Sequence, residues 1–168
     1  GITVSGGECT LQAEFVIELF RIAKKHGLTA LLDSNGSYAF KEQPEILEVS
    51  DGVMLDVKAD CEQKHQWLTG HSIDIVLENL SYLASIGKLE EIRTVCIPEI
   101  LNNERTIELA AEILSPYLQK QNIRYKLIRY RPFGVREEYR NYKQPDDAYM
   151  NQLKDLAYSK GFRDIVII

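Results

Sequence analysis

Gly1-Ile2-Thr3-Val4-Ser5-Gly6-Gly7-Glu8 opens the chain, and the fold turns on how these residues are read. Ile2, Thr3 and Val4 are apolar or β-branched, which predicts a short buried strand, and that strand stops at two glycines and a carboxylate. Paired glycines at a strand end permit positive φ and let a ligand reach main-chain groups that a β-carbon would shield. A carboxylate directly after them can receive an ammonium. The same residues also allow a plainer reading, a glycine turn leading into a helix capped by Thr10. Recurrence favours the first, because apolar strand followed by polar tip repeats down the chain.

Working outward, Leu11, Phe15, Leu19 and Ile22 or Ala23 fall at helical spacing and predict an amphipathic helix with that row inward; Lys24-Lys25-His26-Gly27 gives it a basic last turn and a glycine stop. The run Leu28 to Leu32 predicts a second strand, ending in the turn residues Asp33-Ser34-Asn35-Gly36. A short helix over 44–49 precedes a third strand, Gly52-Val53-Met54-Leu55, whose tip is Asp56-Val57-Lys58. Residues 59–70 read as a polar loop. A helix over 72–86 follows, with Ile75, Leu77, Leu80, Leu83 and Ala84 inward. The second half continues the alternation: a strand over 91–97 closed by Pro98, a helix capped by Asn103 and running to Leu114, a strand over 123–130, a loop rich in Tyr and Arg, a helix over 146–160, and a last strand over 165–168.

Strands alternating with helices of this length predict an α/β fold: βαβ units, right-handed crossovers and a parallel sheet covered by helices, in a single domain spanning 1–168. In such architectures ligands sit at the carboxyl ends of the strands. Gly6-Gly7-Glu8, Asp33-Ser34-Asn35, Asp56-Val57-Lys58 and Arg131 all fall there, so four strand tips should converge on one rim. The 168 residues, 45% hydrophobic and with a net charge of −5, can bury a core and do not look like a general nucleic-acid or membrane-surface binder. No apolar run approaches the ~20 residues of a membrane span, and the expected location is the cytoplasm. Cys9, Cys61 and Cys96 are odd in number and far apart, which encodes neither a disulfide framework nor a Cys-x-x-Cys metal knuckle. Because the chain starts inside a strand, it is expected to be a fragment truncated on its N-terminal side.

Asp33 and Asp56 close neighbouring strands, so their carboxylates should lie close together and repel unless a cation or proton intervenes. With Ser34 and main-chain carbonyls such as that of Met54 they form an oxygen-rich pocket of the kind hard cations prefer; alternatively, each Asp merely caps its turn. Lys58 can hold a ligand carboxylate or pair with Asp56. Arg93, if inward, is a buried cation in need of a partner such as a ligand carboxylate or Asp56. His65 and Trp67 read as loop packing. Arg124, Arg129, Arg131, Arg136 and Arg140 interleave with Tyr125, Tyr130, Tyr139 and Tyr142, but the acidic balance of the chain argues against RNA.

Thr-Val-Ser-Gly-Gly-Glu, Leu-Asp-Ser-Asn-Gly, Val-Met-Leu-Asp-Val-Lys with the later His65 and Thr69-Gly70, and Arg-Thr-Val-Cys-Ile-Pro together resemble the glycyl-radical-enzyme activating enzymes of the radical S-adenosylmethionine superfamily. The motifs come in that family's order over residues 1 to about 140. The resemblance implies a partial (β/α) barrel, and a parent protein that reduces S-adenosyl-L-methionine and uses a 5′-deoxyadenosyl radical to abstract a glycine hydrogen from a pyruvate formate-lyase-like partner. An electron donor, flavodoxin or ferredoxin, is implied too. By resemblance, Gly6, Gly7 and Glu8 would receive the methionyl amino group. Asp33, Ser34, the Met54 carbonyl and Asp56 would hold a monovalent cation that also touches the cofactor, with Asn35 beside them. Lys58 and Arg93 would contact the cofactor carboxylate or ribose. Arg131 stands where relatives carry a histidine near the adenosine. The family's Cys-x-x-x-Cys-x-x-Cys loop, which binds the [4Fe-4S] cluster, is not in this sequence, so the parent's cluster ligands are expected upstream and the piece alone is expected to be inactive.

Two other functions fit parts of the chain. One is a cluster-independent lyase or aldolase using Lys58 as a Schiff-base amine beside Asp56. The other is a non-catalytic module that docks a protein through the Arg and Tyr loop over 129–142. An uncovered sheet edge also predicts dimerisation through that edge.

Overall fold

A computed structural model describes residues 1–135 and 137–168; Arg136 of the Arg and Tyr loop lies outside the described residues. Six strands, β1 (Ile2–Val4), β2 (Ala30–Ser34), β3 (Gly52–Asp56), β4 (Leu89–Cys96), β5 (Arg124–Arg129) and β6 (Asp164–Ile167), pair in parallel in chain order. Six helices join them: α1 (Ala13–Lys25), α2 (Pro44–Val49), α3 (Glu62–Thr69), α4 (Asp74–Ser85), α5 (Asn103–Leu114) and α6 (Asp147–Ser159). A strand order without reversal and crossovers of one hand put the covering helices on one face, as in a barrel rather than a doubly wound sheet. The result is the expected α/β partial barrel. Leu32, Leu55, Ile92 and Leu127 pack on that face against Phe20, Leu80, Leu114 and Leu153 of the helices, and all eight are fully buried. The opposite, inner face carries the charges.

Differences from the sequence expectation have simple causes. On α1 the inward row is Val16, Phe20 and Ala23, while Phe15 and Ile22, and Leu11 in the turn before the helix, are exposed. The two rows have the same spacing one residue apart, and periodicity cannot rank them; a 3-10 turn over Cys9–Gln12 sets the phase. In α4, Val76 and Asn79 take inward places and Ile75 is exposed. Residues 62–69 form α3, ended by Gly70 at φ 78°; the segment is too polar to show an apolar stripe. Glu8 rather than Thr10 caps the turn after β1, and Asn102 rather than Asn103 caps α5.

Asn103 is instead buried and ties down the turn after β4: its amide oxygen accepts from the Ile97 N–H at 3.0 Å and its nitrogen donates to the Val95 carbonyl at 3.1 Å. Asn79 does the same for the loop after β2, donating to the carbonyls of Gly36 and Tyr38 and accepting from the Phe40 N–H. Both loops reach the strand tips already braced. Register also shifts between β3 and β4, where Val53 lies beside Leu89 but Met54 beside Glu91, so Glu90 is an additional residue. Gly52 makes room for it, since a β-carbon there would stand 3.0 Å from that of Glu90.

Candidate functional site

The tips of β1 and β2 are joined by Glu8. Its Oε1 accepts from the Thr10 N–H at 3.2 Å, the Thr10 hydroxyl at 2.8 Å and the Ser34 hydroxyl at 2.9 Å, while Oε2 accepts from the Asn35 N–H at 2.7 Å. A carboxylate only 8% exposed needs such donors, and here they also lock two loops together. Gly6 and Gly7, at φ 98° and 56°, precede it, and space is open where a β-carbon would stand at either. Cys9 lies beneath; burial first, then the neighbouring Glu8 carboxylate, pushes its thiol up to about 12.

Next along the rim are two ion pairs. Asp33 accepts from Arg93 Nη1 at 2.7 Å, and Asp56 stands 3.0 Å from Lys58 Nζ. Burial raises the Asp56 carboxyl above its ordinary range, Lys58 opposes that, and the nearby Asp33 charge adds to it. Arg93 points inward, and its partners are Asp33 and Glu91 rather than Asp56. Desolvation weakens its hold on the proton, but the hydrogen bonds to Glu91 and Asp33 prevail and its pKa moves up. Met54 Sδ accepts from Arg93 Nη2 at 3.1 Å.

A cavity of about 390 Å³ opens beside these pairs, within the usual size of small-molecule sites. Lys58, Asn35 and His65 meet an apolar wall that includes Val95, Ile97 and Tyr130. His65 is buried on α3, and its Nδ1 lies 2.9 Å from the His71 carbonyl. A carbonyl only accepts, so Nδ1 carries a proton in that contact, leaving Nε2 as the acceptor nitrogen of the neutral ring. Tyr130 donates its hydroxyl to the Tyr139 carbonyl, and Tyr139, Tyr142 and Trp67 stack edge to face or tilted at centroid distances of 5.6 to 6.5 Å.

The structure thus gathers Glu8, Asp33, Ser34, Asn35, Met54, Asp56, Lys58 and Arg93 at one end of the sheet. Arg131, just past the end of β5, is exposed and, unlike its neighbour Tyr130, does not line the cavity. Sequence reasoning missed Glu91, His65 as a lining residue, and the tyrosine wall. A period-two pattern through Glu91, Arg93 and Val95 was available for the first of these, but the register shift hides which face it occupies.

No family model matches the chain. Among curated proteins, a pyruvate formate-lyase 1-activating enzyme of Escherichia coli is 33% identical over 172 residues, covering 97% of this chain and 70% of the relative. A pyruvate formate-lyase-activating enzyme of Streptococcus mutans is 31% identical over 179 residues, covering 98% of this chain and 67% of the relative. Among solved structures, a domain of pyruvate-formate lyase-activating enzyme from Bacteroides vulgatus superposes with a TM-score of 0.83 at 22% identity, covering all of this chain and 98% of that one. Streptococcus suis SuiB bound to S-adenosylmethionine superposes at 0.64 with 15% identity, covering 99% of this chain and 38% of that one. The two structures share the fold; the two sequence relatives carry the assignment, and the chain belongs to the glycyl-radical-enzyme activating enzymes of the radical S-adenosylmethionine superfamily.

Proposed function

We propose that this chain forms the S-adenosyl-L-methionine cradle of an activase that installs a glycyl radical on a pyruvate formate-lyase-like partner. The reading rests on the paired charges Asp33–Arg93 and Asp56–Lys58 standing between a glycine-walled opening and a partly aromatic cavity. A methionyl zwitterion has one ammonium and one carboxylate, and its carboxylate can take over Lys58 and Arg93 from the internal pairs, which leaves Asp33 and Asp56 to be met by other cations. Lys58 and Arg93 take the carboxylate side, and the Gly6-Gly7-Glu8 turn borders the amino group. Tyr130, Val95 and Ile97 offer a surface for a base and ribose.

The residues do not fit the [4Fe-4S] cluster. Among the described residues no three His, Cys, Asp or Glu side chains are grouped to hold a metal, and burial pushes the Cys9 and Cys96 thiols up to about 12. We place the cluster ligands in a Cys-x-x-x-Cys-x-x-Cys segment upstream, with this chain as the later part of the parent and inactive by itself. In the proposed activity a cluster held by that upstream segment would supply the one-electron chemistry that opens S-adenosyl-L-methionine toward a glycine hydrogen of the partner, and Lys58, Arg93 and the Gly6-Gly7-Glu8 turn of this chain would hold S-adenosyl-L-methionine in place for it. A monovalent cation among Asp33, Ser34, the Met54 carbonyl and Asp56 would neutralise those carboxylates once the ligand occupies Lys58 and Arg93. Flavodoxin or ferredoxin is the proposed electron donor. Among the described residues no helix is long and apolar enough to cross a membrane, and we propose a cytoplasmic location.

The test joins the chain to such an upstream segment, loads it with iron and sulfide, and follows cleavage of S-adenosyl-L-methionine. Cleavage in the parent, lost at least about tenfold in Lys58→Ala and Arg93→Ala, is expected for two charge-assisted contacts. A loaded protein that holds a cluster yet cleaves nothing would overturn the proposal. The exposed Trp67 beside Tyr139 and Tyr142 favours one further role for the same rim, docking of the partner protein.

A further inference from the structure

Glu91 is a buried acidic side chain of the inner face that the proposed cradle leaves without a task; Asp164, in register on the same face, is taken up by Arg124 Nε at 3.0 Å. Glu91 is 2% exposed, below the strand tips, and three cations converge on it: Arg93 Nε at 2.6 Å, Lys126 Nζ at 2.8 Å and Arg124 Nη1 at 3.8 Å. A lone buried carboxylate usually grips an arginine end-on, through two parallel bonds. Here Glu91 takes the Nε edge, Asp33 takes Nη1 and Met54 Sδ faces Nη2 at 3.1 Å. With Nε held, rotation about the last side-chain bonds stops and the plane of the guanidinium is set. Lys126 supplies the charge that Arg93 alone would leave shared between Glu91 and Asp33.

We propose that Glu91 is a positioning residue: by holding Arg93 Nε it aims the Nη edge of the guanidinium at the place the cofactor carboxylate or ribose would occupy. The inference rests on the cradle reading above. Glu91 itself touches no ligand; it converts a flexible side chain into a fixed donor, which lowers the ordering cost of binding. A purely structural Glu91 would serve Lys126 and Arg124 as much as Arg93, and that difference can be measured.

The experiment titrates the 168-residue chain with S-adenosylhomocysteine by calorimetry, and follows the Arg93 Nε–Hε resonance by NMR without ligand. Glu91→Gln should weaken binding about tenfold, and Arg93→Ala by at least as much. The double variant should bind no more weakly than Arg93→Ala, because the first residue acts through the second. Lys126→Met, which strips another partner from Glu91, should stay within about twofold of the parent. Glu91 should also keep the Arg93 Nε–Hε proton protected from exchange, and Glu91→Gln should release it. If Glu91→Gln unfolds the chain, Glu91→Asp preserves the charge while shortening the reach, and the same loss of protection and affinity is expected.

Unchanged affinity in a folded Glu91→Gln chain, or additive losses in the double variant, would overturn the positioning role while Arg93→Ala still reports the cradle. A parent chain that fails to bind S-adenosylhomocysteine would overturn the cradle and this inference with it.

Discussion

Asp56 loses its proton later in the folded chain than its ordinary value of 3.8, since burial outweighs the pull of Lys58. A raised carboxyl pKa adds stability that is complete below the unfolded value and disappears as pH climbs through the folded one. The stability of Asp56→Asn relative to the parent should therefore grow as pH rises from about 4, in urea unfolding followed at several pH values. A pH-independent difference would contradict this. Cysteine chemistry gives a second check at the same scale. Cys9 and Cys96 are buried with thiols near 12, while Cys61 is exposed, so a thiol reagent at neutral pH should label Cys61 alone until the chain unfolds. At this scale the sequence was readable where a residue ends a strand, because turn chemistry marks Glu8, Asp33, Asp56 and Lys58. Arg93 and Glu91 were not readable in the same way: their partners lie on other strands, and one strand's parity says nothing about which face is inner.

Loops become reliable platforms only when something from another element closes their backbone bonds, and Asn79 of α4 does so for residues 36–40. Asn79→Ala would strand two carbonyls and one buried N–H, a cost of about 3 kcal/mol in chemical denaturation, with faster amide exchange at Phe40. Gly36 in that loop sits at φ 74°, and a β-carbon there would come within 2.8 Å of Leu55 Cδ1; Gly36→Ala should cost about 2 kcal/mol. Helix α1 offers a sharper contrast. Phe20 is fully buried and Phe15 is 65% exposed, so truncation to alanine should cost about 3–5 kcal/mol at the first and under about 0.5 kcal/mol at the second. The helix was legible from spacing. Its orientation was not, because both rows repeat alike and only contact with β2 and α2 distinguishes them. Helix α3 was invisible for the opposite reason: His65 is its one buried residue, and a single inward side chain makes no period.

At the scale of the whole molecule the alternation of strands and helices carried the parallel α/β class, but a right-handed crossover suits a doubly wound sheet as well, and only the pairing of the strands in chain order makes it barrel-like. Edges are where pairing remains to be satisfied. Among the described residues β1 pairs only with β2, and the turn and helix that follow it show Leu11, Phe15 and Ile22 to solvent. We propose that two copies associate through this side. Sedimentation should then show a dimer whose fraction rises with concentration and falls in Thr3→Pro, which cannot donate to an added strand. A monomer at every concentration would count against it. The extra residue at Glu90 carries a consequence of another kind. Were that position deleted, Leu89 would join Glu91 directly, the pairing of Val53 with Leu89 and of Met54 with Glu91 would survive, and Glu91 and Arg93 would stay on the barrel side. One residue inserted between Glu91 and Arg93 meets no such slack: the strand beyond it would swap its sides and carry Arg93 among the greasy helix contacts. A length change, with every named side chain intact, would thereby erase the site. Relatives are thus best compared by gap placement within β4 before any comparison of residue identity.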